Sequence, residues 1–585
     1  MASLAVLARE RCVRPVGIRR RTPQGTPSGW SDAVHPVLQQ VYAARGVLSP
    51  GQAEYRLARL LSPQQLGGLE QAVALLAEAI RDDWSIVIAG DYDCDGATGT
   101  AVAVRGLRML GARHVGYAVP NRFIHGYGLS EALVESLQPT PRLIVTVDNG
   151  VASIAGVAAA RKRGIRVIVT DHHLPGEQLP AADAMVNPNL AGDDFPSKAL
   201  AGVGVMFYLL LALRAALRGQ GMFAPGSEPD LSTLLDLVAV GTVADLVPLD
   251  FNNRVLVEAG LRRLRAGQGA AGVVALVEAS QRSLATLCAS DLGYAIGPRL
   301  NAAGRLEDMR IGIECLLADD AMQARHYAGL LSEINQGRRE LQATMVAEAE
   351  VMVARAAATD AVGVALFEPS WHAGVVGLVA SKLKERLHRP VVAFAPASED
   401  EPGALRGSAR SIAGFHIRDA LAMIDARHPG LIERFGGHAM AAGLSLRTED
   451  YPRFADAFDT IAREWLDEDH LQAVQHTDGE LPVGAATLEL ARQLRAAGPW
   501  GQAFPEPVFD NLFECASWKV MGERHLRLSL RDPRDGSLHD AVMFNAYEGS
   551  PPPSSFRAVY ELVINDWQGR ESARLLLRHI DAAPG

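Results

Sequence analysis

Between residues 70 and 255 the apolar positions alternate between two periods. QAVALLAEAIRDD sets its apolar side chains at helical spacing and runs into SIVIAG, a short and almost continuous apolar run. TGTAVAVRGLRMLG then precedes HVGYAVP, and IAGVAAARKRG links LIVTV to IRVIVT. Helices alternating with short apolar strands predict an α/β domain with a mainly parallel sheet and helices on both faces. Ligands of such sheets collect beyond the carboxyl ends of the strands. The rhythm stops at 319–358, a stretch without proline that predicts a helix of up to about 40 residues, roughly 60 Å long. A helix of that length does not belong to one compact core and reads as a connector between two lobes.

Beyond it the alternation resumes. AVGVALFE, GVVGLVASKLKERL, PVVAFAP and the glycine-rich RFGGHAMAAGLSL predict a second, smaller α/β lobe. After about residue 475 the pattern turns to strands. HLRLSLRD alternates Leu526, Leu528 and Leu530 with polar residues, FRAVYELVIND and ARLLLRHI follow, and a small all-β barrel, OB-like in one reading, is expected. The chain therefore divides into an N-terminal leader and helical segment (1–69), a first α/β domain (70–255), a helical connector (256–358), a second α/β lobe (359–468) and an all-β domain (469–585).

Composition narrows the setting. The 585 residues are 48% hydrophobic and 21% charged, enough for several cores. Five cysteines without a C-x-x-C pair argue against a disulfide framework or a cysteine zinc site, and a cytoplasmic setting fits. No apolar run approaches the roughly 20 residues that span a bilayer, so no membrane partner is expected. The arginine-rich RERCVRPVGIRRRTPQG reads as a solvated, partly disordered leader ahead of a transit peptide or a nucleic-acid arm. With a net charge of −10, any nucleic acid must be held by a local basic groove.

Candidate chemistry sits where strands end. SIVIAG leads to Asp91, Asp93 and Asp95 in GDYDCDG, LIVTV to Asp148, and IRVIVT to Asp171, His172 and His173; Asp245 follows the helical run LLDLVAV. Hard oxygens and imidazoles converging from four segments have the composition of a divalent metal site. Three alternate carboxylates repel one another unless a cation neutralises them, and Gly96 lets the backbone bend tightly toward it. On a strand end His172 and His173 would point to opposite sides, so one would hold metal and the other meet a phosphate as donor or general acid. Asn187 in VNPN is a turn residue that could also orient a ligand.

DYDCDG, VDNG, TDHH and ADLVPL together resemble the successive motifs of the DHH phosphoesterase superfamily. GPRLNAAGRL, GSARS, FGGHAMAAG and PWGQAFPEPVF resemble further signatures of its single-strand-specific 5′ to 3′ DNA exonucleases. The resemblance implies a DHH phosphoesterase domain, an associated substrate-binding lobe and an OB-like nucleic-acid-binding domain. It implies two Mg²⁺ or Mn²⁺ ions held by Asp93, Asp95, Asp148, His172 and Asp245, with Asp148 bridging. Asp91 and His173 would stand behind these ligands or touch substrate. Arg299, Asn301 and Arg305 offer two cations and an amide suited to a phosphate. Ser408, Arg410, Gly436, Gly437 and His438 offer hydroxyl, guanidinium, backbone N–H and imidazole for a terminal 5′ phosphate.

Trp518, Tyr560 and Trp567 are candidate stacking platforms, although core packing explains such aromatics equally well. One departure is visible, since relatives tend to show a glycine-asparagine pair before PEP where this chain has Gln502, Ala503 and Phe504. Implied partners are single-stranded DNA and, through repair and recombination, a single-strand-binding protein and a helicase, with the chain acting as a monomer. Short oligoribonucleotides or cyclic dinucleotides are the alternative substrates, as in smaller DHH phosphodiesterases, and a non-catalytic scaffold is the remaining alternative.

Overall fold

The computed structural model describes residues 16–121, 126–224, 226–356, 361–397, 401–547 and 549–582. The first fifteen residues of the leader lie outside these. The rest of the arginine-rich stretch is no solvated arm. Strand β1 (Gly17–Arg20) carries Arg20 onto Asp510 at 2.7 Å, in the last domain of the chain.

The first lobe holds the parallel sheet that the alternation predicts. Strands β2 (Ile86–Gly90), β3 (Val115–Ala118), β4 (Leu143–Val147), β5 (Arg166–Thr170) and β6 (Ala184–Val186) lie in the order β3-β2-β4-β5-β6, all parallel. The chain leaves β2 toward β3 on one side and returns to β4 on the other, which opens a crevice beyond the ends of β2 and β4. Helix α1 (Cys94–Met109) leaves β2, and helices α2 (Gly202–Gly219) and α3 (Leu235–Ala244) pack against it. By length and composition α2 could cross a membrane, but it is mostly buried in this core.

Helix α4 (Gly297–Leu306) closes over the β2–α1 turn, and the long helix α5 (Ala321–Ala356) runs to the second lobe. There β7 (Val364–Phe367), β8 (Val391–Pro396), β9 (Ala404–Arg410), β10 (Arg434–Gly437) and β11 (Ala441–Arg447) form one sheet in the order β10-β11-β9-β8-β7, parallel only between β7 and β8. Helix α6 (Val376–Leu387) covers one face of β8, with Val376, Val379 and Leu383 packed on Val391, Ala393 and Ala395. Along β11, and along β9 from Leu405 onward, burial alternates. Leu405, Ala409, Leu444 and Leu446 face the core, and Arg406, Ser408, Gly443 and Arg447 the other way.

Strand β12 (Val474–Thr477) pairs in parallel with β1. A closed barrel follows from β13 (Phe509–Met521), β14 (His525–Arg531), β15 (Leu538–Met543), β16 (Ser555–Trp567) and β17 (Arg570–Ala582), ordered β13-β14-β15-β17-β16. Its apolar interior is continuous with the first-lobe core. Arg254 lies 4.1 Å over the Phe504 ring, Phe504 stacks on Trp500, and Leu249 N–H donates to the Gln502 carbonyl. Ala503 takes φ +60°, a conformation that glycine and asparagine adopt at lower cost. Tyr560 is core, its hydroxyl donating to Asn511 Oδ1 at 2.7 Å. Trp518 and Trp567 are exposed.

Candidate metal centre and its cleft

Carboxylates from three turns meet beyond β2, β4 and α3. Asp93 caps α1, accepting from Gly96 N–H at 3.0 Å. Gly96 is needed for closeness, since a Cβ there would lie 2.6 Å from the Asp91 backbone, while its own φ is ordinary. Asp95 accepts from Gly202 N–H at 2.6 Å and Val203 N–H at 3.0 Å, so the N-terminus of α2 holds its carboxylate in place. Asp148 follows β4 with φ +62°, a strained conformation of the kind stored at functional sites. Gly202 makes room for it, because a Cβ there would fall 2.5 Å from the Asp148 Cβ.

The two histidines do not diverge. Strand β5 ends at Thr170, so strand alternation no longer governs 172 and 173. Their rings sit 4.6 Å apart. His172 Nε2 lies 3.0 Å from Asp148 Oδ1 and 3.5 Å from Asp245 Oδ2, and His173 Nδ1 lies 3.9 Å from Asp148 Oδ1. Asp171 is the residue that sequence reading left without a role. Its carboxylate accepts from the N–H groups of His172, His173 and Val151 and meets His173 Nδ1 at 2.8 Å. Asn187 and Asn189 tie down the same turn by donating to the carbonyls of His173 and His172.

Three sets of ligand atoms each converge within 4.8 Å: Asp91, Asp93 and Asp148; Asp95, His172 and Asp245; and Asp148, His172 and His173. Burial, then repulsion from Asp93, raises the Asp95 carboxyl to about 7. Burial and the neighbouring carboxylates push Asp148 and Asp245 well up. Burial lowers His172 to about 4, leaving its imidazole neutral with a lone pair to offer. Burial opposes charge on His173 as well, but Asp171 outweighs it and raises the group, while that bond holds Asp171 low. Asp148 Oδ1 and His172 Nε2 are buried without a hydrogen-bond partner among the described residues. Facing acceptors and crowded carboxylates fit divalent cations.

The centre opens on a cleft of about 2010 Å³ between the lobes. Tyr92, Tyr127 and His173 line one side, and Arg305, Ser408, Arg410, Gly436, Gly437 and His438 the other. Burial lowers the His438 imidazole, and His173 across the cleft adds to the effect. Arg410 donates to Ser408 Oγ and Ser381 Oγ beside the N-terminus of α6, and Gly377 leaves them room. Arg299 and Asn301 do not line this cleft. Arg299 donates to Ser332 Oγ and to the carbonyls of Ala295 and Ala279, tying α4 to α5. Asn301 Oδ1 accepts from Cys94 N–H at 2.8 Å, and Gly304 approaches the Tyr92 carbonyl where a Cβ would clash at 1.8 Å. GPRLNAAGR thus braces the GDYDCDG turn, and of its polar side chains only Arg305 reaches the cleft.

Models described as the DHH family N-terminal domain, the DHHA1 domain and the RecJ OB domain match residues 85–242, 356–464 and 477–579. The chain is 52% identical over 558 residues to the single-stranded-DNA-specific exonuclease RecJ of Dickeya dadantii, covering 94% of this chain and 96% of that one. The chain belongs to the RecJ family. The Escherichia coli RecJ is 49% identical over 554 residues, covering 93% of this chain and 96% of its own. Thermus thermophilus RecJ, crystallised with Mn²⁺, superposes with a TM-score of 0.80 at 30% identity, over 97% of this chain and 80% of that one. Thermus RecJ has also been solved with Mg²⁺. The converging carboxylates and imidazoles of this chain supply donors suited to such divalent ions.

Proposed function

We propose that this chain is a metal-dependent exonuclease that hydrolyses single-stranded DNA from the 5′ end and releases 5′ mononucleotides. The observation that carries the reading is the buried carboxylate cluster, with Asp148 Oδ1 and His172 Nε2 side by side and neither hydrogen-bonded among the described residues, facing a cleft wall of guanidinium, imidazole and bare glycine backbone. Asp93, Asp95, Asp148, His172 and Asp245 would hold two Mg²⁺ or Mn²⁺ ions, and Asp91 converges with Asp93 and Asp148. Bound there, the ions supply Lewis-acid stabilisation of the phosphoryl oxygens and acidify water.

The chain's own groups do the rest. Asp171 fixes the His173 ring, which donates to the scissile phosphate. Arg305, Ser408, Arg410 and His438, with the N–H groups of Gly436 and Gly437, hold the terminal 5′ phosphate one nucleotide away. Hydrolysis breaks the bond between phosphorus and the 3′ oxygen of the terminal nucleotide, so each turnover leaves a new 5′ phosphate for the same subsite. The barrel, tied to β1 by Arg20 and next to the contact of Phe504 with Arg254 of the first lobe, carries the exposed Trp518 and Trp567 as stacking platforms. We further propose that the chain divides at 1–69, 70–255, 256–358, 359–468 and 469–585, acts as a monomer in DNA repair and recombination in the cytoplasm, and cooperates with a single-strand-binding protein and a helicase.

Digestion of 5′-labelled and 3′-labelled single strands with Mn²⁺ tests the reading. A labelled mononucleotide appearing at once from the 5′ label, while the 3′ label shortens through long intermediates, is the expected result. Prompt release of the 3′ label, or equal attack on duplex, overturns it.

A further inference from the structure

The second-lobe sheet carries more positive charge than a terminal phosphate needs. Its open face is laid out in rows by the strand register. Arg410 pairs with Ala441 in one row. Ser408, Gly443 and Gly436 form the next, and Arg406, Ser445 and Arg434 the one after, with Arg447 one step further along β11. All of them except Ala441 line the cleft. Successive rows stand two residues apart, roughly 6.8 Å along the strands, a distance comparable to one sugar-phosphate repeat. Arg406 and Arg434 flank Ser445 from the strands on either side, about 9.6 Å apart at the backbone. Both guanidinium groups can therefore close on one anion.

Three features make this row a subsite rather than a solvated strand face. Arg406, Arg434 and Arg447 have no ion-pair partner among the described residues, although Glu401 and Glu433 line the same cleft. The floor between this row and the Ser408–Arg410 pocket is bare, since a Cβ at Gly436 would meet nothing within 4 Å and one at Gly443 only the Gly407 carbonyl at 4.0 Å. Helix α6 packs on β8 and on the Ser408–Arg410 end of β9 and leaves the far end of β9, with β11 and β10, uncovered, so the cleft runs on from the Ser408–Arg410 pocket to Arg447.

We infer that Arg406 and Arg434, with Arg447 behind them, form a second anion subsite that holds one further phosphate on the 5′ side of the terminal-phosphate pocket. The inference rests on the proposed 5′-end reading of the cleft. Such a phosphate has two sources. A 5′-polyphosphorylated strand places its outer phosphates there, and hydrolysis of the same P–O3′ bond then releases a nucleoside 5′-triphosphate, water supplying hydroxyl to phosphorus and proton to the 3′ oxygen. A strand advanced by one nucleotide places its own 5′ phosphate there, and the product is a dinucleotide.

The test uses the full chain with Mn²⁺, single strands bearing either a 5′ monophosphate or a 5′ triphosphate, and the double variant Arg406→Ala/Arg434→Ala beside Arg406→Lys/Arg434→Lys. The alanine pair is expected to cut the triphosphate strand about tenfold less efficiently in kcat/KM, with mononucleotide release from the monophosphate strand unchanged and the lysine pair restoring much of the loss. That result assigns the subsite to polyphosphate ends. Loss of a dinucleotide product from the monophosphate strand assigns it to the advanced strand. Equal behaviour of alanine variant and unchanged chain on both measures overturns the subsite while leaving the exonuclease reading intact. Failure of the unchanged chain to attack any 5′ end removes both.

Discussion

The sheet of the first lobe is parallel and covered by helices on both faces, so its polar side chains reach a ligand only from turns beyond the strand ends. The sheet of the second lobe is mixed and leaves half of one face open, so its polar side chains reach the cleft from the strands themselves, every second residue. The two walls also differ in charge. The first crowds Asp91, Asp93, Asp95, Asp148 and Asp245 into one buried place, and the second spreads arginines along an open floor. A site at strand ends concentrates charge until only cations can satisfy it, whereas a site on a sheet face measures out charge at intervals. The first suits chemistry on one phosphate and the second suits counting phosphates.

Removing the central carboxylate breaks this comparison most completely. Asp148→Ala is expected to reduce hydrolysis to background while single-strand binding, measured by fluorescence anisotropy, stays within a few-fold of the unchanged chain. Substantial residual cleavage by the purified variant would return the first wall to a structural role.

Metal removal comes next. In the metal-free protein Asp95, Asp148 and Asp245 keep their protons to higher pH than in the unfolded chain, Asp95 to about 7. The folded state then binds more protons between about pH 4 and 7, so stability falls as pH rises through that window. Melting temperature measured against pH should therefore decline in EDTA. Mn²⁺ at a hundred times its dissociation constant should flatten the decline and add about 2.7 kcal/mol. A pH-independent melting curve in EDTA would contradict the crowding.

The same contrast explains what the sequence made legible. Strand followed by acid is a change of period followed by a change of chemistry, and it marked Asp93, Asp95 and Asp148 directly. The side on which His172 and His173 fall depended on where β5 stops, and a one-residue difference in a strand end reverses that inference. Arg299 and Asn301 looked like phosphate ligands because helix-to-turn bracing has no sequence signature without the partner, here Cys94 and Tyr92. Arg406 and Arg434 were hidden because arginine at alternate positions is what any solvated strand shows. The pairing of β1 with β12, and of Arg20 with Asp510 490 positions away, is a tertiary fact that no local pattern carries.

Two smaller changes sharpen the contrast. Asp171→Asn leaves the metal ligands in place but loosens the ring of His173, and a 10- to 100-fold drop in kcat is expected with KM little changed. A loss confined to KM would assign Asp171 to binding instead. On the opposite wall, Arg410→Ala should raise KM for 5′-phosphorylated strands about tenfold. Arg299→Ala should leave KM unchanged and cost about 1–2 kcal/mol of stability through its lost bonds to α5. Equal KM effects from the two would undo the separation of GPRLNAAGR from the cleft.

The most direct test of the central claim is a count of bound Mn²⁺ by anomalous X-ray scattering from crystals of the unchanged chain and of Asp148→Ala. Two ions flanking the Asp148 carboxylate in the first, and at most one retained in the second, is the predicted result. A single ion in the unchanged chain, or two ions undisturbed by the substitution, would contradict the account.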